Sequence, residues 1–362
     1  MGRVLLLLLS HLVVASARAQ PATVAITFDY HRQGYVGGLP ILKARGLPAT
    51  FYVASESSLV DLIDNVNYPN LTSTTNELIE LQKNGWEIGI YSNIRMERML
   101  GSGEDATSAT SLSIGTGTKV FTTQSGLSYY NKTARVRAMS AADNTKWMEG
   151  FVTYSGDTLT MTVDRTNGSG TINDWVLSSA IATKAWMQSQ KAKLAAKGFN
   201  ARSYAPAGRR WTEQLANLSR DDFDNVRVIN EGGTYQTYPI PDRNSVRMGA
   251  TNSLSSADTA VSLCSQLSAL ISAGPVAWFV VVHKVGNVAD DPPHTIASAE
   301  FEGFADCLKT ARDAGQVRVV RFSQAMEAPV NLHPGPSLFR NQPDQDDQPP
   351  RRTGAAQDRA PL

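Results

Sequence analysis

An apolar run that stops at an acid, Val24-Ala25-Ile26-Thr27-Phe28-Asp29, is followed by a helix-length connection and a second apolar run, Ala49-Thr50-Phe51-Tyr52-Val53. A strand that is apolar at nearly every position is covered on both faces, and a crossover of this length joins parallel neighbours rather than a hairpin. This pattern confines the region to an α/β fold. In parallel sheets and barrels the C-terminal strand ends face the side where loops and chemistry gather, so an acid placed there points into the mouth. Asp29 is the first candidate functional residue.

The same alternation continues to about residue 100 and resumes after residue 181. Strands are expected at 23–29, 49–53, 86–91, 200–205, 225–229, 276–282 and 316–320. Helices are expected at 36–45, 74–84, 181–197, 211–217, 257–272 and 298–314. Gly46 and Gly85 sit where helix ends favour glycine. Between these zones, 105–178 is rich in Ser, Thr and Gly, with period-two alternation and turns such as Ser155-Gly156-Asp157. The economical reading is one α/β domain, 22–100 plus 184–328, interrupted by a β-rich module at 105–178.

The two ends differ from both. Arg3 precedes an apolar stretch that leads to Ala17-Arg18-Ala19, the pattern of a secretory signal peptide over residues 1–19. The expected location is secreted or periplasmic, with no membrane span once the signal is removed. From 329 to 362 the chain turns rich in Pro, Gln, Asp and Arg, too poor in apolar residues to offset the entropy of folding, and is expected to be a disordered tail. A formal net charge of +1 gives no footing for nucleic acid as a partner. The two cysteines, Cys264 and Cys307, are too far apart for a zinc motif; an oxidising compartment permits a disulfide, and two buried thiols are the other reading.

Beyond texture, the outer zones carry motifs. Thr27-Phe28-Asp29-Tyr30, Glu87-Ile88-Gly89-Ile90-Tyr91-Ser92-Asn93-Ile94-Arg95, Tyr204-Ala205-Pro206-Ala207-Gly208 and the strand Trp278-Phe279-Val280-Val281-Val282 ending at His283 follow one another in order. Together they resemble the polysaccharide deacetylase (NodB-homology) family, and the resemblance covers nearly all of the α/β part. It implies a distorted (β/α) barrel that removes N- or O-acetyl groups from glycans, a polysaccharide or peptidoglycan-type partner, Asp29 as general base and His283 as acid toward the leaving group. The insert resembles a small β-module recurrent in phage tail proteins. Its Tyr129, Tyr130, Trp147 and Trp175 are either sugar-stacking faces or core residues.

The family's divalent, zinc-like metal is held by an acid and two histidines, and here Tyr30, Tyr91 and Arg95 stand at those places. Phenol titrates near 10 and guanidinium is never a ligand, so no metal ligand is assigned. A reduced set of Asp29, His31 and His283 is the alternative. His31, Tyr91, Arg95, Pro206 and Gly208 are expected to line the substrate site. The arginine that orients the base in the family is missing from its usual place, with Arg202, Arg209 and Arg210 as substitutes. His294, after Pro292 and Pro293, is expected to be solvated. Two functions stay open: deacetylation, and glycan binding or virion-type attachment by a barrel that has lost hydrolysis.

Overall fold

The protein is described here by a computed structural model, which places residues 21–29, 32–55, 63–64, 73–92, 105–124, 135–206, 213–229, 235–238, 240, 243, 246–248 and 253–326. The first zone forms β1 (Ala22–Asp29), α1 (Arg32–Lys43), β2 (Thr50–Ser55), α2 (Thr75–Lys83) and β3 (Glu87–Ser92). The second contributes the short or medium strands β4 (Asp105–Ser108), β5 (Leu112–Ser113), β6 (Gly117–Thr122), β7 (Arg135–Ser140), β8 (Trp147–Ser155), β9 (Thr158–Asn167), β10 (Thr171–Ile172) and β11 (Trp175–Ser178). The last begins with α3 (Ser179–Ala196), β12 (Ser203–Pro206), α4 (Glu213–Ser219), β13 (Asn225–Ile229), β14 (Gln236–Thr237) and β15 (Val246–Met248). It ends with α5 (Ala260–Ala273), β16 (Val276–Val282), β17 (Lys284–Gly286), β18 (Thr295–Ala297), α6 (Ser298–Asp313) and β19 (Val317–Val319).

The main sheet runs β14-β16-β1-β2-β3-β12-β13-β15, with β19 also paired to the start of β1. All its pairings are parallel except that of β14 with β16. Soon after β15 the chain returns to the other side of the sheet, where Ser253 bridges Val281 of β16 in parallel fashion. The sheet thus curls into a distorted (β/α) barrel. Alternation along each strand sorts side chains between two cores. Val24, Ile26 and Phe28 of β1 face the helices, together with Phe51, Ile88, Trp278 and Val280. Ala25 faces the barrel interior with Tyr52, Tyr91, Ala205, Phe279 and Val281. Phe322, Ala325 and Met326, which follow β19, join that inner cluster. There the Phe322 amide donates to Thr50 Oγ1 at 2.8 Å and the Ser323 amide to Glu87 Oε2 at 2.9 Å. These contacts lie at the starts of β2 and β3, so the far end of the barrel is closed and the mouth is left at the strands' C-terminal ends.

Helices cover the outer face for identifiable reasons. Thr74 and Glu77 form a reciprocal capping box at α2, worth about 1 kcal/mol. Helix α1 starts at Arg32, four residues before the expected 36, because glycines that weaken a helix in isolation here permit close packing. A Cβ on Gly34 would lie 2.3 Å from the His283 carbonyl oxygen, and one on Gly37 would lie 2.3 Å from that of Val285. The Cys264–Cys307 disulfide ties α5 to α6. By loop-closure entropy, a bridge across 43 residues is worth about 4 kcal/mol.

Residues 105–178 build a six-stranded antiparallel sheet, β4-β11-β7-β8-β9-β6, and a small β5–β10 ladder. Phe121, Val136, Met148, Leu159, Met161, Trp175 and Leu177 form a cluster of their own. Glu149 is fully buried there, with Arg135 at 3.0 Å and Arg137 at 2.7 Å satisfying its carboxylate. Trp175 is a core residue: its ring meets Phe121 edge-on at 5.7 Å and its indole N–H donates to the Thr110 carbonyl at 2.9 Å. Trp147 is half-buried under the Arg137 guanidinium at 4.0 Å. Tyr129 and Tyr130 lie outside the described residues.

Candidate active site

Because Ala25 faces the interior, Thr27 and Asp29 on the same strand do so as well, and Asp29 ends the row at the mouth. Opposite it, Val226 and Val228 of β13 belong to the helix-facing core, which turns Arg227 between them inward. Arg227 and Asp29 are each only 1% exposed. One guanidinium nitrogen, Nη2, lies 2.5 Å from Asp29 Oδ1 and donates to Oδ2 at 2.6 Å. The other, Nη1, donates to Thr27 Oγ1 at 2.6 Å, and Thr27 donates onward to the Val280 carbonyl at 2.9 Å. The Tyr52 ring lies against the guanidinium face, 4.7 Å from ring centre to Cζ. Burial pushes the Tyr52 phenol well above its ordinary pKa, although Arg227 pulls it the other way. Asp29 is therefore a buried carboxylate set against one fixed cation: Oδ2 accepts a hydrogen bond from it, whereas Oδ1, though close to the same nitrogen, accepts none.

His283 leaves the end of β16 and directs Nε2 toward Asp29 Oδ2 at 3.8 Å. Its Nδ1 is hydrogen-bonded to Ser253 Oγ at 3.1 Å. Desolvation holds its pKa below the ordinary histidine value; Arg227 and His294 push the same way, and Asp29 and Asp291 oppose them without prevailing. The imidazole is consequently neutral at pH 7, a state suited to accepting a proton. At the rim, Asp291 is bonded to Lys284 at 2.7 Å and to His294 Nδ1 at 3.0 Å, and these contacts keep its carboxyl at a pKa of about 2. The His294 ring stands 5.2 Å from that of His283. His294 is exposed, as a solvated loop histidine would be, but it belongs to the rim of this site.

Asp29 and His283, proposed from sequence, thus meet at one place. Tyr91 is on the inward face of β3, buried in the apolar inner cluster, and Pro206 ends β12 opposite Ser92. His31, Arg95 and Gly208, with Tyr30, Arg209 and Arg210, lie outside the described residues. Arg202 does not orient Asp29: it pairs with Asp224 at 2.5 Å on the surface, because it precedes β12 and sits at the other end of the barrel from the mouth. Arg227 does that work. Its signal was an arginine flanked by valines inside an expected strand, a charge that must find a buried partner. Ser253 had no comparable signal, since it lies outside any periodic segment.

The described residues do not fit a metal. Among them no three His, Cys, Asp or Glu side chains are grouped to hold an ion. The Arg227 guanidinium beside Asp29 opposes a second cation at that carboxylate, of which only Oδ1 is left without a hydrogen bond. Tyr91 packs among apolar side chains.

No family model matches the chain, and no curated protein does. Some solved structures are similar to this chain along most of its length, at low identity. A variant of the peptidoglycan deacetylase PdaC from Bacillus subtilis shares 11% identity, over 85% of this chain and 90% of that one, with a TM-score of 0.38. A family 4 carbohydrate esterase from Streptomyces lividans, in complex with acetate, shares 7% identity over 83% and 92%, with a TM-score of 0.38. The Xyl-CE4 domain of a multidomain xylanase from the hindgut metagenome of Trinervitermes trinervoides shares 10% over 86% and 94%, with a TM-score of 0.39.

Proposed function

We propose that this protein is an exported, deacetylase-like hydrolase that removes acetyl groups from a polysaccharide or peptidoglycan-type glycan, with Asp29 and His283 as its working pair. One observation carries the reading: a buried carboxylate, locked by Arg227, faces a neutral histidine across 3.8 Å at the mouth of a parallel barrel. A structural ion pair would have no need of a titratable third member beside it. The chemistry follows from the environment. Asp29 is buried and fixed against the Arg227 guanidinium, so it serves best as the anion that stabilises an imidazolium. His283 is the group that takes a proton from the attacking oxygen and returns it to the leaving amine or hydroxyl. The disulfide suits export, since such bonds persist in oxidising compartments, and no helix among the described residues is long and apolar enough to cross a membrane.

A second reading is glycan recognition without hydrolysis. It draws on Tyr91, which occupies an apolar cluster where the family chemistry requires a metal ligand. Acetate release from acetylated chitooligosaccharides and acetylated xylan separates the two. Hydrolysis predicts release that His283→Ala abolishes while far-ultraviolet circular dichroism stays unchanged, and that Asp29→Asn abolishes in the fraction that remains folded. Binding alone predicts no release from the intact chain and glycan affinity that these substitutions change only modestly.

A further inference from the structure

We propose that Ser253 is the nucleophile of this site, so that acyl transfer proceeds through an acyl-serine held by the chain's own residues rather than by a metal-bound water. The inference rests on the hydrolase reading above and names how that site works. Three groups stand in a row from core to solvent: Asp29, 1% exposed; His283, with its side chain 13% exposed; and Ser253, exposed at the mouth. The two ring nitrogens of His283 divide between them, Nδ1 to Ser253 Oγ at 3.1 Å and Nε2 toward Asp29 at 3.8 Å. With the proton on Nε2, facing the carboxylate, Nδ1 carries the lone pair and accepts from the serine hydroxyl. That is the order a nucleophilic hydrolase needs: base between nucleophile and buried anion, hydroxyl on the substrate side. A serine that merely oriented the ring would be expected on the buried side, where the carboxylate already is.

Ser253 is also held in place. It forms a parallel bridge to Val281, two residues before His283, and the next amide, of Leu254, donates to the Val281 carbonyl at 2.8 Å. Leu254 is fully buried in the helix-facing core. Two residues further on, the Ser256 amide donates to the Pro292 carbonyl at 3.0 Å, so the segment is pinned between β16 and the loop that carries His294. The hydroxyl and the imidazole therefore share one rigid frame, as pre-organised nucleophiles require.

The steps balance with water as the one further reactant. Ser253 Oγ attacks the acetyl carbonyl and its proton passes to His283 Nδ1, leaving an imidazolium opposite Asp29. The tetrahedral intermediate collapses, the C–N or C–O bond to the sugar breaks, and His283 returns the proton to the departing amine or hydroxyl. Water then attacks the acetyl-serine, gives a proton to His283, and acetate leaves as Ser253 recovers its hydrogen.

The test uses the full chain, a fluorophosphonate probe and peptide mass mapping, beside acetate release from acetylated xylan. The expected result is an adduct on Ser253 that is absent in Ser253→Ala and reduced at least tenfold in His283→Ala. Acetate release should fall at least a hundredfold in Ser253→Ala and stay unchanged in Ser265→Ala, an exposed serine of α5. Ser253→Cys should restore adduct formation toward iodoacetamide, with retained dependence on His283. Acetate release with no adduct, or release untouched by Ser253→Ala, overturns the nucleophile and leaves the hydrolase reading standing. An adduct on Ser253 without acetate release supports the nucleophile and removes the glycan-acetyl substrate instead. Neither adduct nor release overturns both.

Discussion

Arg227→Met is the sharpest probe of how the site is built. The substitution keeps volume and apolar stem but removes the cation that touches both oxygens of Asp29 and the hydroxyl of Thr27. Both charged partners are 1% exposed, so water cannot take the place of the lost guanidinium. Breaking one side of such a buried pair costs about 3–5 kcal/mol, because an uncompensated charge remains inside. Against a domain stability of about 5–15 kcal/mol, that is a large share. Asp29→Asn should cost a similar amount by stranding the guanidinium. In the double variant no charge is left to strand, and the loss should fall short of the sum by about 2–3 kcal/mol. Urea unfolding followed by tryptophan fluorescence reads this, since Trp86 and Trp278 are buried in the helix-facing core. If Arg227→Met proves too unstable to purify, recovery of folded protein in the double variant answers the same question. A loss under about 1 kcal/mol in the single variant, with unchanged urea dependence, would refute the buried, mutually dependent pair.

Three further expectations concern the neighbourhood. Gly34→Ala places a methyl 2.3 Å from the His283 carbonyl oxygen, so the helix or the histidine must shift; stability should drop by about 1–3 kcal/mol and hydrolysis by more than tenfold, read by urea unfolding and acetate release. The lowered pKa of His283 sets the pH dependence: its contribution to stability is complete above the unfolded value near 6.5 and is lost as pH falls from there toward the folded value, because only the unfolded chain takes up the proton in that window. Unfolding midpoints should accordingly lose this pH dependence in His283→Gln, while the acid limb of kcat/KM of the unaltered protein lies below about 6.5, with Asp291 charged throughout. Replacing 105–178 by a short Gly/Ser linker should leave a folded, cooperative barrel, since that stretch has its own sheet and apolar cluster; an unfolded product would show that the barrel depends on it.

What could be read in the amino-acid sequence was local and periodic. Apolar runs ending at Asp29 and His283 mark buried strands, and the strands at 225–229 and 276–282 have the expected bounds. Capping residues and glycines placed most helix ends within a few positions, and the change of period announced a β-rich stretch at 105–178. These features depend on neighbours along the chain, so a single sequence carries them. The partners of Asp29 depend on no such neighbours. Arg227 stands 198 residues away, and only the curl of the sheet carries it across the barrel from β13 to β1. Ser253 reaches His283 through one isolated bridge, a contact made by chain return and not by pattern. Whether the cysteines paired depended likewise on how α5 and α6 pack. Sequence by itself placed Asp29 and His283 at the ends of buried strands; which residues touch them was decided by tertiary structure, because contact across a barrel is set by strand order and register rather than by spacing along the chain.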